Sequence, residues 1–263
     1  MEYEIGPIQN FSLGIKELWS YRELFYFFAW RDIKVKYKQT FLGFAWVILQ
    51  PLFLMIIFTL FFGRALKIPS NNLPYPVFVL SGLVFWTLFS TGLTNASNSM
   101  VAHAGIIKKI YFPRFIIPLS SFFVSLFDFA ITLIIFIPII LHYKISFSYK
   151  CILYFPISVV ITSITTIGLS CLISSLIIKY RDFKYVLPFF LQGLLFITPV
   201  IYSSNITNNY LVKFLFYINP ISGAIELFRC IFSNARPDWN FVLSALLLSC
   251  VIFIIGTFVF RKK

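Results

Sequence analysis

Long apolar runs, broken by short polar and basic stretches, set the plan of this chain. Residues 42–63 carry only Gln50 and Thr59 as polar side chains. At 22 residues this run measures about 33 Å as a helix, enough to cross a hydrocarbon core of about 30 Å. Arg64 and Lys67 close it, and a loop with Pro69, Asn71, Asn72, Pro74 and Pro76 follows. Further apolar runs cover about 77–97, 115–141, 151–178, 186–202 and 241–260. The pattern predicts an all-α integral membrane protein with six transmembrane helices.

Residues 211–232 are apolar but interrupted by Asn219-Pro220, Glu226 and Arg229. Neither half is long enough to span, and Pro220 lacks the amide that a continuous helix needs. An external or re-entrant helical hairpin is the expectation. Ahead of the first span, Ser20-Tyr21-Arg22-Glu23 reads as a capping box. It opens a stretch dense in aromatic and basic residues, the composition of a helix lying in the headgroup layer. Within that stretch Ile33, Val35 and Tyr37 alternate with Lys34, Lys36 and Lys38, which is strand periodicity. A lone strand at a membrane surface has no pairing partner, so helix or irregular backbone with snorkelling lysines is favoured.

Charge orients this plan. Six basic residues fall in 1–41 and three each in 98–114, 179–185 and 261–263, against seven on the opposite side of six spans. A seventh span would spoil that bias. The excess predicts that both termini are cytoplasmic, with 1–41 an N-terminal segment holding the interface helix, 42–260 the membrane domain and 261–263 the C-terminal end. Composition agrees: 59% of the chain is apolar and only 12% charged, against about 25% charged in soluble domains. The net charge of +13 suits an anionic membrane surface rather than nucleic acid. Met1 to Glu17 holds three acids and one base before any apolar stretch, the wrong pattern for a cleavable signal. Cys151, Cys171, Cys230 and Cys250 have no metal-site spacing, and no disulfide framework is expected.

Little in the chain suggests catalysis. His103 and His142 fall on opposite sides of the membrane in this topology, and the nine acids form no dyad or metal cluster. No GxxxxGK[ST] loop is present, so this chain does not bind ATP by that device. Asp128 is the one acid at mid-depth in a span, where ionisable groups mark function by default. The plainer expectation is a hydrogen bond from a neighbouring Ser or Thr at 162–166. Glu226 and Arg229, spaced i and i+3, are expected to pair locally. The 34 Phe, 14 Tyr and 5 Trp serve an aromatic belt, and rings also grip the apolar faces of sugars without charge.

The stretch Arg31-Asp32-Ile33-Lys34-Val35-Lys36-Tyr37-Lys38-Gln39-Thr40, with Leu42-Gly43 and Trp46, resembles the approach to the first span of polysaccharide and O-antigen ABC exporter permeases, of the ABC-2 type. Four further stretches resemble the same family in order: Leu73-Pro74-Tyr75-Pro76 through Leu83; Asn95 to Ser99 with Lys108-Lys109-Ile110-Tyr111-Phe112-Pro113-Arg114; Tyr180-Arg181-Asp182-Phe183-Lys184-Tyr185 with Thr198-Pro199-Val200-Ile201-Tyr202; and Asn219-Pro220-Ile221-Ser222-Gly223.

The resemblance implies a homodimeric permease of the bacterial cytoplasmic (inner) membrane. It implies no cofactor on this chain, with ATP and Mg on a separate ABC-type ATPase present in two copies. The implied cargo is a lipid-linked polysaccharide of the O-antigen, capsule or teichoic-acid class, on an undecaprenyl pyrophosphate carrier. Ser99, Met100, His103, Gly105, Ile106, Lys108 and Lys109 fall at the implied ATPase contact. The first and fifth spans are implied to line the path, which puts Trp46, Phe53, Phe189 and Phe196 on it. The collar of Arg31, Lys34, Lys36 and Lys38 is a candidate to meet the carrier's pyrophosphate, since Arg grips phosphate oxygens in pairs and Lys as a point charge. Two other readings stay open on the residues alone. An ion-coupled secondary transporter would work through Asp128. A membrane enzyme acting on lipid-linked sugars would need clustered carboxylates or histidines.

Overall fold

The structure is a computed structural model that describes residues 15–38, 43–70, 73–145, 148–204, 209–233 and 235–262. Of the stretch Met1 to Glu17, read as lacking a signal pattern, residues 1–14 lie outside them, as do the Gln39-Thr40 end of the collar and Lys263. Every regular element among the described residues is helical. In chain order these are α1 (Ile15–Ser20), α2 (Arg22–Lys38), α3 (Gly43–Phe58, continuing as a π-helical segment over Thr59–Ala65), α4 (Tyr75–Ala102), α5 (Ala104–Ile107), α6 (Ile116–His142), α7 (Cys151–Lys179), α8 (Phe183–Ile197), α9 (Tyr210–Ile218), α10 (Pro220–Ser233) and α11 (Trp239–Arg261).

Five helical segments are long and apolar enough to cross a membrane: 44–65, α4, α6, α7 and α11. The expected fifth span, 186–202, differs. Its helix α8 has 15 residues, about 22 Å, and the backbone from Thr198 onward leaves the helix. Pro199 has no amide to donate and disfavours helix at Thr198, and the packing then holds the break in place. Arg229 of α10 is buried at 3% exposure, and its guanidinium takes the carbonyls that a continued helix would have used itself. Nη1 donates to the Pro199 carbonyl at 2.6 Å, and Nη2 to those of Val200 at 2.7 Å and Phe78 at 3.1 Å. The guanidinium carbon lies 3.6 Å from the centre of the Phe78 ring, a cation–π contact. The local pairing expected between Arg229 and Glu226 is not formed. A buried guanidinium with several geometrically matched acceptors is worth more than one bond along a helix surface.

The broken hairpin is present. Helices α9 and α10 meet at 91° across Asn219. Pro220 is the first residue of α10, where its missing N–H is no loss. The Asn219 side chain donates to Thr198 Oγ1 at 2.8 Å and accepts from the Ile221 amide at 3.1 Å, tying the bend to the end of α8.

Helix α4 is the hub, with α3, α6, α7 and α10 packed around it. Its residues Val77 to Trp86 are buried without interruption, so its burial has no polar face. Helices α7 and α11 cross where Gly168 and Gly256 bring backbone against backbone. A Cβ on Gly256 would strike the Gly168 carbonyl, the close approach that small residues permit between membrane helices.

At one end of the bundle Phe28, Met100, Phe112, Ile116, Cys171 and Phe260 form a second apolar cluster. It gathers α2, the α4–α6 connection and the end of α11. The basic stretches of α2, of the α4–α6 connection and at the end of α11 thus lie at one end.

Candidate functional site

Helix α2 is continuous through Lys38, so the strand-like alternation there has another origin. Phe28, Asp32 and Lys36 are four apart and share one helical face. Phe28 is buried against the His103 and Phe112 rings, with centroids at 5.6 and 5.7 Å. Beyond it the inward face turns polar, while Val35 points outward at 50% exposure. Polar residues face inward because each has a fixed partner.

Arg31 donates to Asp32 Oδ1 from Nε at 3.1 Å and from Nη2 at 2.8 Å, and Nη2 also donates to His103 Nε2. His103 Nδ1 lies 2.8 Å from the Ser99 carbonyl. A carbonyl only accepts, so the proton sits on Nδ1 and leaves Nε2 to accept from the guanidinium. Burial pushes the Asp32 carboxyl up, and the hydrogen bonds and charge of the adjoining Arg31 guanidinium help hold it below the usual carboxylate range. One turn on, Lys36 Nζ donates to Asp128 Oδ2 and Tyr37 OH to Oδ1. Burial, then the hydrogen bond and charge of Asp128, raises the Tyr37 hydroxyl. Asp128 therefore finds its partners on α2, not among the hydroxyls at 162–166. Of the latter, Thr162, Thr165 and Thr166 donate within α7 to the carbonyls of Ser158, Ile161 and Thr162 at 2.9, 2.7 and 2.6 Å.

Next to the Lys36–Asp128 pair opens a cavity of about 380 Å³, walled by Trp46 and Gln50 of α3, Thr87 and Thr91 of α4, and Ser125 and Asp128 of α6. Helix α2 thus links two places, the start of the turn at His103 and an acid on the wall of a membrane-level cavity.

The collar divides in two. Arg31 and Lys36 are engaged by Asp32, His103 and Asp128. Lys34 and Lys38 are exposed, with the Lys34 ammonium 5.3 Å from the Trp30 ring centre. The residues of the implied ATPase contact also divide. Ser99, Met100 and His103 are buried and hold the turn from inside. Gly105, Lys108 and Lys109 are exposed and Ile106 is half-buried. Beside them Val101, Ile110 and Tyr111 are exposed at 52%, 59% and 68%. Trp46, Phe53, Phe189 and Phe196 are exposed on α3 and α8, and of these Trp46 borders the cavity.

Residues 23–233 match the ABC-2 type transporter family. The chain belongs to the ABC-2 type transporters. Relatives of this ABC-2 chain include an O-antigen export system permease protein RfbA of Klebsiella pneumoniae, 27% identical over 232 residues and 88% of each chain. The permease of the same name from Myxococcus xanthus is 25% identical over 252 residues and 95% of each chain. The polysialic acid transport protein KpsM of Escherichia coli is 25% identical over 204 residues, 76% of this chain and 77% of its own. The match to the ABC-2 family takes in α2 from Glu23, the cavity and the hairpin, and stops before α11.

Proposed function

We propose that this chain is the membrane-spanning subunit of an ATP-driven exporter, which moves a lipid-linked polysaccharide out of the cytoplasm across the inner membrane. The observation that carries this reading is the near full-length likeness to O-antigen export permeases, 88–95% of both chains, in an ABC-2 family member. On this reading ATP and Mg belong to a separate ABC-type ATPase in two copies, as the family resemblance implies.

Two copies of this chain pair through the exposed aromatic faces of α3 and α8, with Trp46, Phe53, Phe189 and Phe196 along the path. Helix α8 and its bent continuation complete the sixth crossing, with both termini cytoplasmic, and the hairpin caps the outer side. The ATPase docks on Gly105, Ile106, Lys108 and Lys109, with Ser99, Met100 and His103 bracing that turn. The carrier is a polyprenyl pyrophosphate. Lys34 and Lys38 receive its phosphates first, because their ammonium groups are exposed, and Arg31 and Lys36 follow when their internal partners let go.

Deleting the gene in its native cell tests the reading. Surface polysaccharide should vanish while lipid-linked glycan accumulates inside, and the intact chain with its ATPase should restore export. Undiminished surface glycan in the deletion strain would refute it.

A further inference from the structure

Helix α3 touches the bundle lightly. Among residues 44–65 only Pro51 and Phe58 are buried. The far end is pinned. Gly63 lies so close to the Tyr75 ring that a Cβ there would come within 2.6 Å of it, and Tyr75 in turn donates to the Ile201 carbonyl at 2.8 Å. The near end is held through α2. The Tyr37 ring stacks on that of Phe44 with centroids 4.3 Å apart, and the Tyr37 hydroxyl donates to Asp128. Between these two holds sits Pro51. It leaves the Val47 carbonyl without its i+4 donor, which is the usual reason for a helix to bend.

Behind the first half of α3 lies the cavity of about 380 Å³, with Trp46, Val47, Gln50 and Pro51 as its near wall. It is many times larger than the roughly 30 Å³ share of one water, in an interior that otherwise tolerates few voids. Its walls do not call for a polar ligand. They are mostly apolar, and Thr87, Thr91 and Thr132 donate to the carbonyls of Val84, Thr87 and Asp128 at 3.0, 2.6 and 2.9 Å. Among the described residues, none of the buried side-chain polar atoms left without a partner lies on these walls. Atoms that face a void lose contacts on that side, so closing the gap is favourable once a hinge allows it. We infer that the first half of α3 pivots at Pro51 and closes onto α4 and α6, moving Trp46 from the proposed path into the cavity. Helix α2 is the lever. At one end it holds Phe44 through Tyr37, and at the other Arg31 meets His103 at the start of the turn proposed to dock the ATPase. The inference rests on the export function proposed for the chain and gives it a moving part.

Cysteine trapping tests the pivot. Gln50→Cys and Thr91→Cys, on the α3 and α4 walls, are introduced into a chain whose four native cysteines are alanine. A protease site between α3 and α4 lets a gel separate linked from unlinked chains. Inside-out membrane vesicles from the native cell supply whatever ATPase the chain works with. Oxidative linking of 50 to 91 should change several-fold between nucleotide-free vesicles and vesicles trapped with ATP and vanadate. Pro51→Ala should flatten that change without lowering the yield of folded protein. Thr91→Trp, which puts an indole in the cavity of the otherwise native chain, should keep the melting temperature and cut surface glycan several-fold. Equal linking in both nucleotide states overturns the pivot, and a lipid chain seated permanently in the gap would give that result. A change that survives Pro51→Ala, or parental export with the indole in place, overturns it too. Surface glycan in the deletion strain separates the two claims. If glycan persists there, the export reading fails whatever the trap shows. If it vanishes and the linking stays constant, only the pivot fails.

Discussion

Asp128 takes both of its donors from consecutive residues of α2, Lys36 and Tyr37, so the carboxylate is coupled to the placement of a whole helix. Asp128→Ala leaves the ammonium without its counter-ion, and Lys36→Met leaves the acid buried. We expect each to lower thermal stability, and the double variant to be better than the sum of the singles. The coupling in a double-mutant cycle should lie in the lower half of the roughly 0.5–3 kcal/mol seen for contacting pairs, because the Lys36 side chain is 37% exposed and water screens it. Additive effects would show that the pair carries no interaction. Arg229→Lys keeps the charge but cannot reach carbonyls on three residues at once. Each buried carbonyl left without a donor costs about 1–3 kcal/mol, so this variant should melt well below the parent in detergent. An unchanged melting temperature would mean that water replaces the guanidinium. For Asp32 the sign of the pH effect follows from its depressed pKa. The stabilisation is fully present above the unfolded value of about 3.9 and is lost as pH falls through the lower folded value. Asp32→Asn should therefore weaken the α2–His103 contact at neutral pH and make little difference in strong acid, measured by protease protection of α2.

Among the elements, the turn Ala104–Ile107 and the crossing of α7 with α11 respond differently to added bulk. A Cβ on Gly105 meets nothing within 4 Å. Gly105→Glu should fold and insert normally while ATP hydrolysis loses its link to export. Parental export and complex formation in that variant would remove the turn from the proposed ATPase contact. At Gly256 the same kind of addition meets the Gly168 backbone. Gly256→Leu should cost at least the roughly 1–3 kcal/mol of overpacking, visible as lower yield of folded protein.

For the whole molecule, the aromatic faces of α3 and α8 set the expectation. Phe53 and Phe189 are exposed at 64% and 79%. Rings that line a path between two copies differ from rings that face lipid. Cysteines at these positions should be labelled by water-soluble reagents in the assembled exporter, whereas one at Ile134 of α6 should not. Protection of all three would place these faces against lipid and leave the pairing to other surfaces.

The apolar runs, their loops and the basic bias are legible in the sequence by itself, because a bilayer demands long apolar helices and sorts Lys and Arg by side. Asn219-Pro220 announces its bend through a missing amide. The sequence also tells helix from strand at 33–38, but only by the argument that a lone strand lacks a partner. It does not encode which polar groups meet. Lys36 and Asp128 are 92 residues apart, Arg31 and His103 72 apart, and nothing local specifies either pair. Spacing commits Arg229 to Glu226, yet three-dimensional packing offers it carbonyls freed by the early end of α8. That end is signalled locally by Pro199, whereas the inward polar face of α2 and the cavity beside it are decided by tertiary structure alone. A buried polar group settles wherever matching partners are brought within hydrogen-bond reach, and only the folded chain determines where that is.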